Sequence, residues 1–350
     1  MGGIRPVSAV RDLIAVLRDP ARALEFDGAR WTSLLSVARA ETLDGTLAHR
    51  CAKLALPPPV AAQLADVRST SEDSTKRALW EAEMARRALA PLGVRVILLK
   101  GTAYAAAGLD PAPGRQIGDL DILVPKDSLD AVEAALLGHG WEWVKQDDYD
   151  DAYYRRWMHE LPPMVHKERD RMIDVHHTIL PPTARPTPDA TALIADAVPI
   201  GDSGLWMLSP EDMICHAAAH LFADGDLAGG LRNLWDIDRL LRRFAHEAPD
   251  FWATLTARAI RHELEPAVRR AARLANCLYA TPVPLSCHSR VPSDAAFERR
   301  LLARNAWAQE TRAAERLAFY VRSHLLRMPL RQLIPHLATK WRKRSIGGAG

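Results

Sequence analysis

The chain has 350 residues, 48% of them apolar and 25% charged, a balance that excludes wholesale disorder and allows two or three packed units. A formal net charge of +3 is too small to imply a nucleic-acid partner by itself, so nucleic acid is not favoured. Cys51, Cys215, Cys277 and Cys287 are scattered without a C-x-x-C pair, Arg5, Arg11 and Asp12 interrupt any leader-like apolar core, and no apolar run is long enough to span a bilayer. The expectation is a cytoplasmic protein with reduced thiols and no disulfide framework, cysteine zinc site or membrane span.

Residues 1–92 read as an N-terminal helical region. Trp31, Leu34, Leu35 and Ala38 recur at helical spacing and Leu43 and Leu47 extend the pattern. Pro57-Pro58-Pro59 then breaks the chain before a long Ala-rich, charged helix from Val60 to Leu92.

The texture changes over residues 93–180. Val94–Leu99 is a branched apolar run of strand length ending in Lys100-Gly101-Thr102, and Leu120, Ile122 and Val124 alternate with two acids in a second strand that Pro125 stops. Asp127 to Asp130 resembles a helix start with an acid at the N-cap, followed by a stripe of Leu129, Val132, Leu136 and Leu137. Trp141–Val144 predicts another strand, and Leu161–Lys167 with Arg171–Thr178 predict a hairpin turning at Glu168–Asp170.

Residues 181–350 read as a C-terminal helical domain. Ser209-Pro-Glu-Asp212 is a helix start, Leu231 to Phe244 carries an apolar stripe, and further helices are expected over 251–262, 265–279 and 293–325. Arginines crowd the end of the chain together with Lys340-Trp-Arg-Lys-Arg344, a pattern read as a solvated helical surface. The expected fold class is α+β, a small mixed β-sheet core flanked by N-terminal helices and a C-terminal helical domain.

The chemistry concentrates in the middle region. Period-2 geometry places Asp119 and Asp121 on one strand face, where two like charges need a cation, and a hard ion such as Mg²⁺ shared with a phosphate substrate answers that need. Asp174 and His176 share a face of Met172-Ile-Asp-Val-His176. A lone carboxylate amid apolar neighbours is costly to bury unpaired, and completing a metal cage with the first two removes the cost. His216 and His220 stand four residues apart on a helix but lack an H-E-x-x-H pattern, so a packed role is expected. Trp141, Trp143, Tyr153, Tyr154 and Trp157 read as core aromatics rather than a base-stacking platform.

The ordered set Leu99-Lys-Gly101, Arg115, Gly118-Asp-Leu-Asp121, Ile173-Asp-Val-His176, Leu208-Ser-Pro-Glu-Asp212 and Trp235-Asp-Ile-Asp238 resembles the bacterial "uncharacterised nucleotidyltransferase" family of the polymerase-β-like superfamily. The resemblance implies that residues 93–180 are a nucleotidyltransferase core in which Asp119, Asp121 and Asp174 are catalytic and bind metal, two Mg²⁺ ions being expected, with an NTP as donor. It implies nucleotide-phosphate contacts for Lys100, Gly101, Thr102, Arg115 and Gly118, and for His176 a role orienting Asp174 or touching the acceptor. The interval from Gly101 to Asp119 is longer than in the compact superfamily motif, and Thr102 leads into Ala-rich sequence rather than a Gly-Ser turn. The implied activity is Mg²⁺-dependent transfer of an NMP group from an NTP to a hydroxyl or phosphate of a small-molecule or peptide acceptor, in a biosynthetic or modification pathway. The alternatives are a metal-dependent glycosyltransferase using a nucleotide-sugar, and a catalytically idle nucleotide-binding or toxin–antitoxin-type protein.

Overall fold

A computed structural model describes residues 9–145, 154–155, 157–223, 225–289 and 291–328. Helices α1 (Ala9–Arg18), α2 (Gly28–Ala40), α3 (Asp44–Arg50) and α4 (Pro58–Leu89) form the N-terminal part. Asp27 caps α2 by accepting from the Arg30 N–H at 2.8 Å, and Pro58 opens α4 where a missing N–H costs nothing. Leu13, Leu17, Trp31, Leu34 and Leu47 are buried, as their spacing demands. The pattern does not run unbroken from Trp31 to Leu47: the chain turns at Thr42, whose φ is +52°.

Among the described residues seven strands build the sheet: β1 (Ile97–Leu98), β2 (Leu120–Leu123), β3 (Trp141–Trp143), β4 (Met164–His166), β5 (Met172–His176), β6 (Val198–Pro199) and β7 (Trp206–Met207). Their order is β3-β4-β5-β2-β1-β7-β6. The β2–β5 and β1–β7 pairs are parallel and the others antiparallel, so the sheet is mixed. Helix α5 (Lys100–Ala106) follows β1, and α6 (Leu129–Gly138) follows β2. The hairpin is present as β4 and β5, turning through Asp170 at φ +50°.

Three expectations need correction. Asp127 caps nothing: Lys126–Ser128 is a 3₁₀ turn, and α6 begins at Leu129 without a side-chain cap. The region after Pro181 is not wholly helical, because β6 and β7 extend the sheet beyond β1; two-residue strands leave no periodicity to read. The helix expected over 293–325 is two helices, because Asn305 Oδ1 accepts from the N–H groups of Trp307 and Gln309 and so satisfies the backbone in a non-helical turn.

The C-terminal helices are α7 (Ala190–Ala195), α8 (Pro210–Ala223), α9 (Gly230–Glu247), α10 (Phe251–Arg261), α11 (Glu265–Tyr279), α12 (Asp294–Leu301) and α13 (Ala313–Arg327). Ser209 Oγ accepts from the Asp212 N–H at 3.3 Å at the start of α8, the predicted cap. Of the C-terminal arginines, Arg300, Arg304 and Arg316 pair with Glu310, and Arg304 also with Glu41; Arg331 and the Lys340–Arg344 run lie outside the described residues. Cys51, Cys215 and Cys287 are buried free thiols. No helix among the described residues is long and apolar enough to cross a membrane.

One apolar core runs from Val10 in α1 through the sheet to Phe319 in α13. The N-terminal helices dock on the loop before β2 through a glycine pair. A Cβ on Gly114, whose φ is +74°, would lie 2.1 Å from the Gly45 carbonyl oxygen. Gly114→Ala should therefore destabilise by about 2–5 kcal/mol. Gly108→Ala is the control, since Gly108 also has positive φ but open space beside it. Equal shifts of the urea midpoint in the two variants would rule out the close approach as the cause.

Candidate active site

Parallel pairing of β2 with β5 sets Asp121 directly beside Asp174. Because side chains alternate along each strand, equal register puts both carboxylates on one face. Asp119 precedes β2, and one carboxylate oxygen from each of the three aspartates lies within 4.8 Å of the others. Asp121 is buried, whereas Asp119 and Asp174 are half-buried.

Two basic groups converge on Asp121. Lys100 Nζ donates to Asp121 Oδ1 at 2.7 Å, and His176 Nε2 lies 3.0 Å from the same oxygen. Lys100 reaches there because the corner between β1 and α5 turns through a left-handed residue, Lys100 itself at φ +48°. The Leu99 N–H donates to the Asp121 carbonyl at 3.0 Å and ties that corner to β2. His176 thus contacts Asp121, not Asp174 as one of its two expected roles required.

The charges in this cluster are unequal. Burial would raise Asp121, but the Lys100 charge and the His176 hydrogen bond outweigh it and hold the carboxyl far below the usual range. Among the described residues Asp174 has no such partner. Burial first, then repulsion from Asp121 and Glu160, pushes it up to about 7. Burial alone would lower Lys100, and attraction to Asp121 overrides it, leaving the ammonium above its ordinary pKa.

Arg115 does not reach the aspartates. It pairs with Asp236 on α9 and packs against Gly101, where a Cβ would lie 2.5 Å from its Nε. The space beside the Gly101 Cα is therefore taken by Arg115. Thr102 is buried, its hydroxyl without a hydrogen-bond partner among the described residues, and Gly118 has open space on its Cβ side. Asp236 also holds the buried Arg232, accepting from its Nη2 at 2.6 Å and its Nε at 3.1 Å.

The other motif acids are anchors as well. Asp238 accepts from Arg242 Nε at 2.8 Å and Thr281 Oγ1 at 2.6 Å. Asp212 accepts from Arg258 Nε at 2.7 Å and lies 2.9 Å from His262 Nε2. These pairs tie α8 to α10 and α9 to the segment that follows α11.

A cleft of ≈ 220 Å³ opens beside Asp174, lined by Lys100, His159, Glu160, His176 and His220 among others. His216 is buried next to Lys100 and Arg115, and burial followed by the charge of Lys100 holds it well below the ordinary histidine value. Trp141 and Trp143 are structural: the first packs edge-on against His166 at 5.0 Å, the second donates to Glu133 at 2.9 Å. Tyr153 lies outside the described residues. Sequence reasoning missed His159 and Glu160, whose only signal was a histidine next to an acid in a stretch with no periodicity. It also missed that Asp236 clamps two arginines.

Three oxygen donors, one of them a carboxyl raised by burial and then by its acidic neighbours, fit a hard divalent cation, which would offset that repulsion. No curated protein matches the chain. A family model described as "Uncharacterised nucleotidyltransferase" matches residues 27–280, from the N-cap of α2 to the C-cap of α11, and the chain belongs to that family.

Proposed function

We propose that the protein transfers an NMP group from an NTP to a hydroxyl or phosphate of a small-molecule or peptide acceptor, with Mg²⁺ held by Asp119, Asp121 and Asp174. The observation that carries this reading is the parallel register that sets Asp121 beside Asp174, with Asp119 close by. When bound, Mg²⁺ supplies positive charge against the nucleotide phosphates and lowers the cost of charge developing on them.

The chain's own groups complete the chemistry. Lys100 is partly solvent-accessible at the cleft, so its ammonium is available to an incoming phosphate. Asp174 is half-buried and faces the cleft, so its carboxylate is suited to take the proton from an acceptor hydroxyl. Gly101 contributes by seating Arg115, and the Asp236 pair holds that guanidinium facing the Lys100 side of the site. Thr102 and Gly118 flank the same region and offer backbone donors without bulky side chains in the way. The acceptor is assigned to the cleft between β5 and α8.

Isothermal titration of non-hydrolysable ATP, GTP, CTP and UTP, with and without Mg²⁺, tests the reading. At least one analogue should bind in a Mg²⁺-dependent manner. Failure of all four to bind would remove the NTP donor and bring nucleotide-sugars forward.

A further inference from the structure

Beside the three aspartates lies a second group of ligand-type side chains that the transfer chemistry leaves unused. His159 and Glu160 are consecutive, Glu160 bridges to β5 at His176, and His176 ends that strand. Glu160 Oε2 lies 3.3 Å from His176 Nδ1 and 3.7 Å from His159 Nε2. One ligand atom from each residue falls within 4.8 Å of the other two. A tetrahedral ion with bonds of about 2.0–2.1 Å spaces its ligand atoms about 3.3 Å apart. Two of the three edges are therefore near their final length, and only the two rings, with centroids 5.2 Å apart, need to close further.

The hydrogen-bond pattern of His176 gives a second, independent reason. Asp121 Oδ1 lies 3.0 Å from Nε2 and fixes the ring so that Nδ1 faces Glu160 Oε2 at 3.3 Å. Among the described residues Nδ1 has no hydrogen-bond partner, on a side chain only 4% exposed. A buried nitrogen without a partner, aimed at a carboxylate, is what a cation between the two would satisfy. A carboxylate behind a histidine, accepting from its far nitrogen, is also the usual support of a metal-ligating imidazole. His159 Nε2 faces the same Glu160 oxygen at 3.7 Å, so both imidazoles present a ring nitrogen to one carboxylate, and neutral imidazole is the form that ligates.

We propose that His159, Glu160 and His176 form a second divalent-cation site, preferring a borderline ion of the Zn²⁺ class to Mg²⁺. Two nitrogens and one oxygen suit Zn²⁺ or Co²⁺, whereas Mg²⁺ favours oxygen alone. Three protein ligands leave a fourth position, and the cleft these residues line with Lys100 and Asp174 has room for a water or an acceptor atom there. The site does not depend on the nucleotide reading and would stand if no NTP bound.

The test is titration of the chelator-stripped full chain with Co²⁺ in excess Mg²⁺, following the visible absorption of four-coordinate Co²⁺ and its displacement by Zn²⁺. One Co²⁺ per chain should bind, and should still bind in Asp119→Asn/Asp174→Asn, which dismantles the carboxylate set. His159→Ala should weaken binding by about 100-fold and Glu160→Gln by at least about 10-fold. Circular dichroism checks that each variant is folded; if His159→Ala is not, the Glu160→Gln result decides. No Co²⁺ uptake in excess Mg²⁺, uptake lost only in the aspartate double variant, or equal affinity in folded His159→Ala or Glu160→Gln would each overturn the site. An imidazolium at His176 bridging Asp121 and Glu160 without metal would give the first of those results. Failure of the wild-type chain to bind any nucleotide while Co²⁺ binds counts against the NTP reading alone.

Discussion

Asp121→Asn should lower pyrophosphate release from the bound NTP about a thousandfold or more, equivalent to roughly 4 kcal/mol of transition-state stabilisation. In Mg²⁺, affinity for the non-hydrolysable analogue should fall at least about a hundredfold, near 2.7 kcal/mol. Asparagine keeps the shape and an acceptor oxygen for Lys100 and His176, which both bond Asp121 Oδ1. The register of β2 against β5 is held by the backbone and by buried Leu120, Ile122, Ile173 and Val175, so the fold should persist. What disappears is the negative charge, leaving Lys100 and the neighbouring arginine–aspartate network with a surplus of positive charge. That surplus attracts free phosphate, so Mg²⁺-independent nucleotide binding should weaken less than the Mg²⁺-dependent part. If a folded Asp121→Asn protein releases pyrophosphate at the wild-type rate, the role assigned to this carboxylate is wrong.

The second large effect concerns stability against pH. Asp174 has a folded pKa of about 7 against an ordinary 3.8. The folded chain therefore holds a proton on Asp174 that the unfolded chain has released, across the window from about pH 4 to pH 7. Stability contributed by this group is greatest below that window and falls as pH rises through it, by about 4 kcal/mol as an upper bound. His159 and His216 slope the other way, because each is held neutral in the fold and binds a proton once unfolded below its ordinary value. Glu41, also raised by burial, adds to the fall. The quantity to measure is thus the difference between wild type and Asp174→Asn in urea unfolding without divalent ions. Wild type should lose up to about 4 kcal/mol relative to the variant between pH 4 and pH 8. Millimolar Mg²⁺ should restore most of that loss above pH 7 and little below pH 5. A flat difference curve would mean that Asp174 is not under the repulsion its surroundings imply.

How much of this was readable beforehand depends on whether a residue's meaning is local. Asp119 just before β2, Asp121 within it and Asp174 of β5 announced themselves, because alternation in a strand is a short-range signal and a charge inside it stands out. The hairpin and α8 to α11 were legible for the same reason, through turn residues, caps and apolar stripes. The family match supports that reading of the middle of the chain and extends it to the N-terminal helices from residue 27. Strands β6 and β7 were invisible, since two residues carry no period and their place beside β1 comes from long-range packing. His159 and Glu160 were missed because their importance lies in their distance from His176, which no pattern along the chain encodes. Arg115 was found, but its attachment to Asp236 across 121 positions was not. The break between α12 and α13 was hidden until Asn305 was seen bonding its own backbone.

The side-by-side placement of Asp121 and Asp174 also bears on how the molecule reaches its native state. Asp121 and His176 are 55 positions apart, and α6, β3 and β4 lie between the two strands. Closing β2 on β5 is a non-local event of the kind that slows folding. It must also drive two carboxylates together in a region that is losing its water. Below the pH at which Asp174 ionises, or with a divalent ion in solution, that closure loses its electrostatic resistance. The feature that makes the site chemically useful is therefore a gate on its own assembly, and the folding rate inherits the site's sensitivity to protons and metal.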